Sequence, residues 1–138
     1  MDQIVTLETA KLAMEVGFKE NVTHLYLDGE NILLMIATAY TTPPYRVSTS
    51  DIETPPEELL EDGVPAPTQT ALSRWLREKC GLFIMILVED FGYWYNIYTV
   101  LDVGNPEVVL GSMESGKKYE EAMEDALYAA CQIVKDRR

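Results

Sequence analysis

One histidine, His24, stands between Thr23 and Leu25 in a stretch whose composition suits a strand. Histidine is the side chain most often used to move protons near neutral pH. It still needs an oriented nucleophile or carboxylate beside it, and no such partner is identifiable. Ser48, Ser50 and Ser73 lie outside any G-x-S-x-G context. No G-x-x-x-x-G-K-[ST] or G-x-G-x-x-G loop is present to cradle phosphate. Cys80 and Cys131 form no C-x-x-C pair, so neither a zinc site nor a disulfide framework is expected. Each reads as a small buried apolar side chain. The acids Glu89 and Asp90, and Asp28 with Glu30, fall on expected turns without the spacing of a calcium loop. They read as solvated turn residues. The expectation is a protein that is not an enzyme, with no cofactor and no metal site.

The aromatic side chains suggest binding instead. Every position from Leu82 to Val88 is apolar, and Tyr93 to Tyr98 carries rings on both alternating faces. Tyr93 and Tyr95 fall on one face, Trp94 and Tyr98 on the other. Tyrosine and tryptophan are favoured at protein contacts because they bury much area at little entropic cost. Two helices over a three-stranded sheet cover one face, so the second must meet something. Either the N-terminal segment closes over it, or a partner or second copy does. Tyr93, Trp94, Tyr95 and Tyr98 are therefore the candidate partner-binding residues.

The elements that must position these rings follow from periodicity. Thr6 can cap a helix over Leu7 to Val16, with Ala10, Ala13 and Met14 inward, Gly17 at its end and Phe18 closing it. Thr23 to Leu27 and Ile32 to Tyr40 flank Asp28-Gly29 and read as a hairpin. A helix over Leu33 to Ala39 is the alternative for the second arm. Six of the seven prolines lie between Pro43 and Pro67, together with six acids and no basic residue between Arg46 and Arg74. That stretch, 43–67, reads as an extended acidic connector, with a short helical turn allowed at Glu57 to Leu60. Beyond it, Thr68 can cap a helix carrying Ala71, Leu72, Trp75 and Leu76, stopped by Gly81. Strands follow at Leu82 to Val88, Tyr93 to Leu101 and Val108 to Met113, the last after a break at Gly104-Asn105-Pro106. A final helix starts near Ser115 or Gly116, with Tyr119, Ala122, Met123, Ala126, Leu127, Ala130, Ile133 and Val134 on one face. The expected fold is α+β in one domain: helix and hairpin (1–42), connector (43–67) and an αβββα unit (68–138), with helices on one face of an antiparallel sheet of three or more strands.

Charge narrows the partner. Lysine and arginine number 11 against 23 acids, a net charge of −12. Nucleic acid and anionic membranes are bound through basic side chains that displace counterions. The αβββα order resembles double-stranded-RNA-binding domains, and Lys117-Lys118 open the last helix, but residues 82–125 carry nine acids against two bases. Nucleic-acid binding is not expected. The opposite use of the charge, an acidic mimic of nucleic acid that inhibits a DNA-binding enzyme, is the alternative function. Half of the excess negative charge lies in a proline-rich connector, a poor rigid template. Met1-Asp2-Gln3 has neither the basic nor the apolar region of a secretory signal, and no apolar run approaches the ~20 residues of a membrane helix. A cytoplasmic location is expected.

Three segments carry a family resemblance. Ala66-Pro67-Thr68-Gln69-Thr70-Ala71-Leu72, continued by Trp75-Leu76-Arg77-Glu78, resembles the A-P-T-Q-S-L-x-x-x-W-L-R-E segment of small proteins encoded by phages and mobile elements of gut Bacteroidetes. Thr9-Ala10-Lys11-Leu12-Ala13 with Gly17-Phe18 resembles that family's opening helix. Tyr119-Glu120-Glu121-Ala122, after Gly92-Tyr93-Trp94-Tyr95, resembles its Y-E-E-A helix. Residues 32–45 do not match. The resemblance implies a mobile-element setting and a compact fold, and it carries no catalytic residue. The expected function is non-catalytic protein–protein interaction, with a protein partner or through self-association.

Overall fold

Thr6 caps the first helix as the sequence leads one to expect. Its backbone is extended, and its hydroxyl accepts the Thr9 N–H at 3.4 Å, satisfying one of the donors a helix start leaves open. Helix α1 (Leu7–Glu15) follows. Its end is closed by paired bonds, Gly17 N–H to Met14 O at 3.1 Å and Phe18 N–H to Ala13 O at 2.9 Å. Gly17 sits at φ 109°, which a side chain would strain, and Phe18 is buried against the helix end. The computed structural model describes residues 3–20, 22, 24–26, 33–35, 63–89, 92–102, 105–114 and 118–137.

Contacts divide the chain into two compact units, Ile4–Thr68 and Gln69–Arg138 with Met1–Gln3, where the sequence reading has a single domain. In the first, strand β1 (His24–Tyr26) pairs antiparallel with β2 (Leu33–Met35), Tyr26 opposite Leu33. This is the pairing a hairpin requires; its Asp28-Gly29 turn lies outside the described residues. Leu33–Met35 is strand, so the helical alternative does not hold there.

Strand β3 (Val64–Pro65) corrects the connector. It pairs antiparallel with β1 and gives the sheet order β2-β1-β3. Residues 63–67 are all buried, and α1 packs on β3. The physical reason is that the connector's acids stop at Asp62, while Gly63-Val64-Pro65-Ala66-Pro67 is uncharged. Proline is tolerated because β3 is an edge strand, and Ala66 supplies the missing donor, its N–H reaching His24 O at 2.9 Å. Ile4 bridges Thr68, and Val5 N–H reaches Pro67 O at 3.0 Å. The rest of the connector, 43–62, lies outside the described residues.

The second unit runs from helix α2 (Gln69–Cys80) through strands β4 (Leu82–Glu89), β5 (Gly92–Asp102) and β6 (Asn105–Glu114) to helix α3 (Tyr119–Asp136). Gly81, at φ 69°, turns the chain from α2 into β4. The three strands form an antiparallel sheet ordered β4-β5-β6. β6 begins at Asn105, earlier than the expected Val108, so Asn105 and Pro106 do not end pairing. Pro106 lies opposite Val100 on an edge strand, where a missing N–H can face away from the ladder. Register shifts interrupt β5–β6 pairing on either side of Ile97. α2 packs on α3, and both touch β4. The α3 N-cap is Lys118, not the expected Ser115 or Gly116. Among the described residues the fold is thus α+β, with three helices and two three-stranded antiparallel sheets.

Candidate functional site

The β4–β5 register sorts the aromatic side chains by face. Val88, Ile86, Ile84 and Leu82 stand opposite Tyr93, Tyr95, Ile97 and Thr99, and residues directly opposite share a face. Tyr93 meets Tyr119 of α3 edge-on, with ring centroids 6.2 Å apart and planes at 86°. Asp125 of α3 and burial together raise the Tyr95 phenol above its ordinary pKa, burial first. This face therefore meets α3. It buries Leu82, Tyr95 and Ile97, with Ile97 fully inaccessible.

The alternate face is built from Phe83 opposite Tyr98, Met85 opposite Asn96 and Leu87 opposite Trp94. None of these six is buried, and Met85 is 48% exposed. Asn96 Nδ2 donates to Tyr98 Oη at 3.1 Å, two residues along the same face, and orients the phenol. The four residues singled out from the sequence are thus split in pairs. Trp94 and Tyr98 lie together on the half-open face; Tyr93 and Tyr95 face α3, with Tyr95 in the core. Strict alternation along β5 makes this unavoidable. The hydrophobic members Phe83, Met85 and Leu87 complete the face, and their signal was the unbroken apolar run of β4.

A second feature is a cavity of about 460 Å³ beside α2 and the start of α3. Thr70, Ser73, Arg74 and Arg77 line one side, and Tyr119 and Met123 the other. Sequence reasoning missed it. The available signal was a pair of arginines one helical turn apart, flanked by hydroxyls, in a chain otherwise rich in acids. Gln69 joins its walls: it is 5% exposed, and its Nε2 donates to the Glu120 carbonyl at 3.0 Å and toward Glu124 Oε1 at 3.5 Å.

His24 lies in β1, opposite Met35. Among the described residues no group of three or more His, Cys, Asp or Glu is gathered to hold a metal, and no helix is long and apolar enough to cross a membrane. Asp28, Glu30 and Asp90 lie outside the described residues. Comparison with protein-family models, curated proteins and solved structures finds no match to this chain.

Proposed function

We propose that this chain is a non-catalytic protein-interaction protein, and that it binds its partner through the β4–β5 face carrying Phe83, Met85, Leu87, Trp94 and Tyr98. The observation that supports this reading most is the contrast between the two faces of one sheet. One buries Leu82, Tyr95 and Ile97, with Val88 exposed at its end, while the other presents Phe83, Met85, Leu87, Trp94 and Tyr98 around Asn96 with no buried member. In this reading α2 and α3 both lie over the Tyr95 face. Trp94, with Leu87 opposite it at one end of the face, is the anchor, since large rings supply most of the energy of a protein contact.

Charge selects the occupant. A second copy would bring a net charge of −12 against another −12, which opposes association, whereas a partner with a basic rim is drawn to the same field. The occupant is therefore a different protein, apolar at its centre and basic at its edge. With this reading go the cytoplasmic location and the phage or mobile-element setting that the A-P-T-Q and Y-E-E-A segments imply.

The test is a binary complex reconstituted from the purified chain and the protein it retains. Trp94→Ala should weaken it by about 30-fold or more, the effect of losing a strong anchor. Exposed Tyr128→Ala should leave it unchanged. Raising salt should change affinity only a few-fold. A complex indifferent to Trp94 and Tyr98 but abolished by salt would instead establish the acidic mimic of nucleic acid.

A further inference from the structure

The cavity beside α2 carries an inference that goes beyond the interaction reading and rests on different residues. We infer that the cavity lined by Arg74, Arg77, Ser73, Thr70, Tyr119 and Met123 is a binding site for a small organic monophosphate with a flat apolar body.

The charge argument comes first. The lining holds Arg74 and Arg77 against the single acid Glu120, a local balance of +1 in a chain of −12. That local positive balance is what an anion would pair with, against the repulsion of the chain's overall negative charge. Arg74 and Arg77 are three residues apart on α2, so their Cβ atoms are neighbours about 5–6 Å apart on one helix face. Two guanidinium forks at that spacing can converge on one phosphate, each giving parallel N–H donors to its oxygens. Thr70 and Ser73 add hydroxyl donors on the same wall.

The α3 start contributes in the same direction. Lys118 caps it without a side-chain hydrogen bond, and the helix that follows is 18 residues long. Its N-terminal end carries partial positive charge, and Tyr119 and Glu120 bring that end to the cavity wall.

The opposite wall sets the body of the ligand. Tyr119 is 46% exposed, yet its ring is held by the edge contact with Tyr93, so it offers a positioned aromatic surface. Met123 lies beside it and is adaptable in shape. At about 460 Å³ the cavity falls in the range of small-ligand sites. A phosphate at the arginines and a planar group against Tyr119 and Met123 use both walls at once. Gln69, buried and bonded to α3, fixes the distance between those walls before any ligand arrives.

Adenosine monophosphate is a suitable probe, with adenosine and inorganic phosphate as its two halves, titrated by calorimetry and by backbone NMR shifts of the full chain. Saturable binding of the nucleotide is expected, with shifts confined to Gln3 and to residues of 69–77 and 118–123. Each half alone should bind at least about tenfold more weakly, the worth of one charge-assisted hydrogen bond or more. The double variant Arg74→Gln, Arg77→Gln should lose about tenfold or more of nucleotide affinity with an unchanged circular dichroism spectrum, since both side chains are exposed. Tyr119→Leu should weaken the nucleotide while leaving inorganic phosphate alone unaffected. Absence of saturable binding, adenosine or phosphate binding as well as the nucleotide, or a double variant equal to wild type overturns the inference. Tighter retention of a short RNA duplex than of the nucleotide, lost in the double variant, overturns it too, because the site would then serve a polyanion.

Discussion

Single side chains here are decided by whether a buried polar group finds a partner. Tyr26 is 7% exposed, and its hydroxyl donates to the Val5 carbonyl at 2.6 Å. Tyr26→Phe leaves that carbonyl without its phenolic donor, so a loss of about 1–3 kcal/mol is expected in urea unfolding; an unchanged midpoint would show that the bond contributes nothing net. Cys131 is buried, and its thiol is pushed up to about 12, first by burial and then by Cys80 and Glu124. The unfolded thiol ionises near 9.0, so the folded state keeps a proton that the unfolded state releases. Stability is therefore fully present below pH 9 and falls between pH 9 and 12, at up to about 1.4 kcal/mol per pH unit. Tyr95, raised by burial and Asp125, pulls the same way. Urea midpoints at pH 8 and 10 should differ by less in Cys131→Ala than in wild type; equal slopes would remove Cys131 as the cause. The burial of Cys131 was legible only from the usual burial of cysteine as a residue type. Half-buried Cys80 was read the same way, because composition alone does not distinguish a core cysteine from one at a helix end.

At the scale of elements, the ends were written locally. Thr6, Gly17 and Gly81 are each recognisable from residue type, since a cap or a positive φ depends on one side chain or its lack. Gly81 has nothing within 4 Å of where a Cβ would stand, so Gly81→Ala meets no clash and isolates the backbone cost of φ 69°. A destabilisation of about 1–2 kcal/mol is expected, with Gly81→Asn costing less because asparagine tolerates this region. If alanine proves neutral on thermal unfolding, the positive φ is not enforced by the fold. Strand β3 and the first residues of β6 were not legible. Proline in Val64–Pro65 and at Pro106 reads as a breaker, and only pairing with a distant strand reveals an edge position where its missing N–H is harmless.

For the molecule as a whole, the question is which rings belong to the core and which to a partner. Tyr95 and Tyr98 are near neighbours in sequence on opposite faces, and their variants should separate the two roles. Tyr95→Ala opens a cavity under α3 and should cost about 3–5 kcal/mol, read by chemical denaturation. Tyr98→Ala should keep most of the stability and lose partner affinity instead. A Tyr98 variant as destabilised as the Tyr95 variant would assign both rings to the fold and remove the proposed surface. The acidic balance, the two ends of α1, the antiparallel strands after Gly81 and the α+β class were determined by the sequence, because charge adds up residue by residue and local periodicity reports which face of an element turns inward. Three things were decided only in three dimensions: the division into two units, the recruitment of Gly63-Val64-Pro65-Ala66-Pro67 into a sheet, and the gathering of Arg74, Arg77, Tyr119 and Met123 around one cavity. Each depends on pairing or packing between residues far apart along the chain, and such contacts leave no periodic trace in either partner alone.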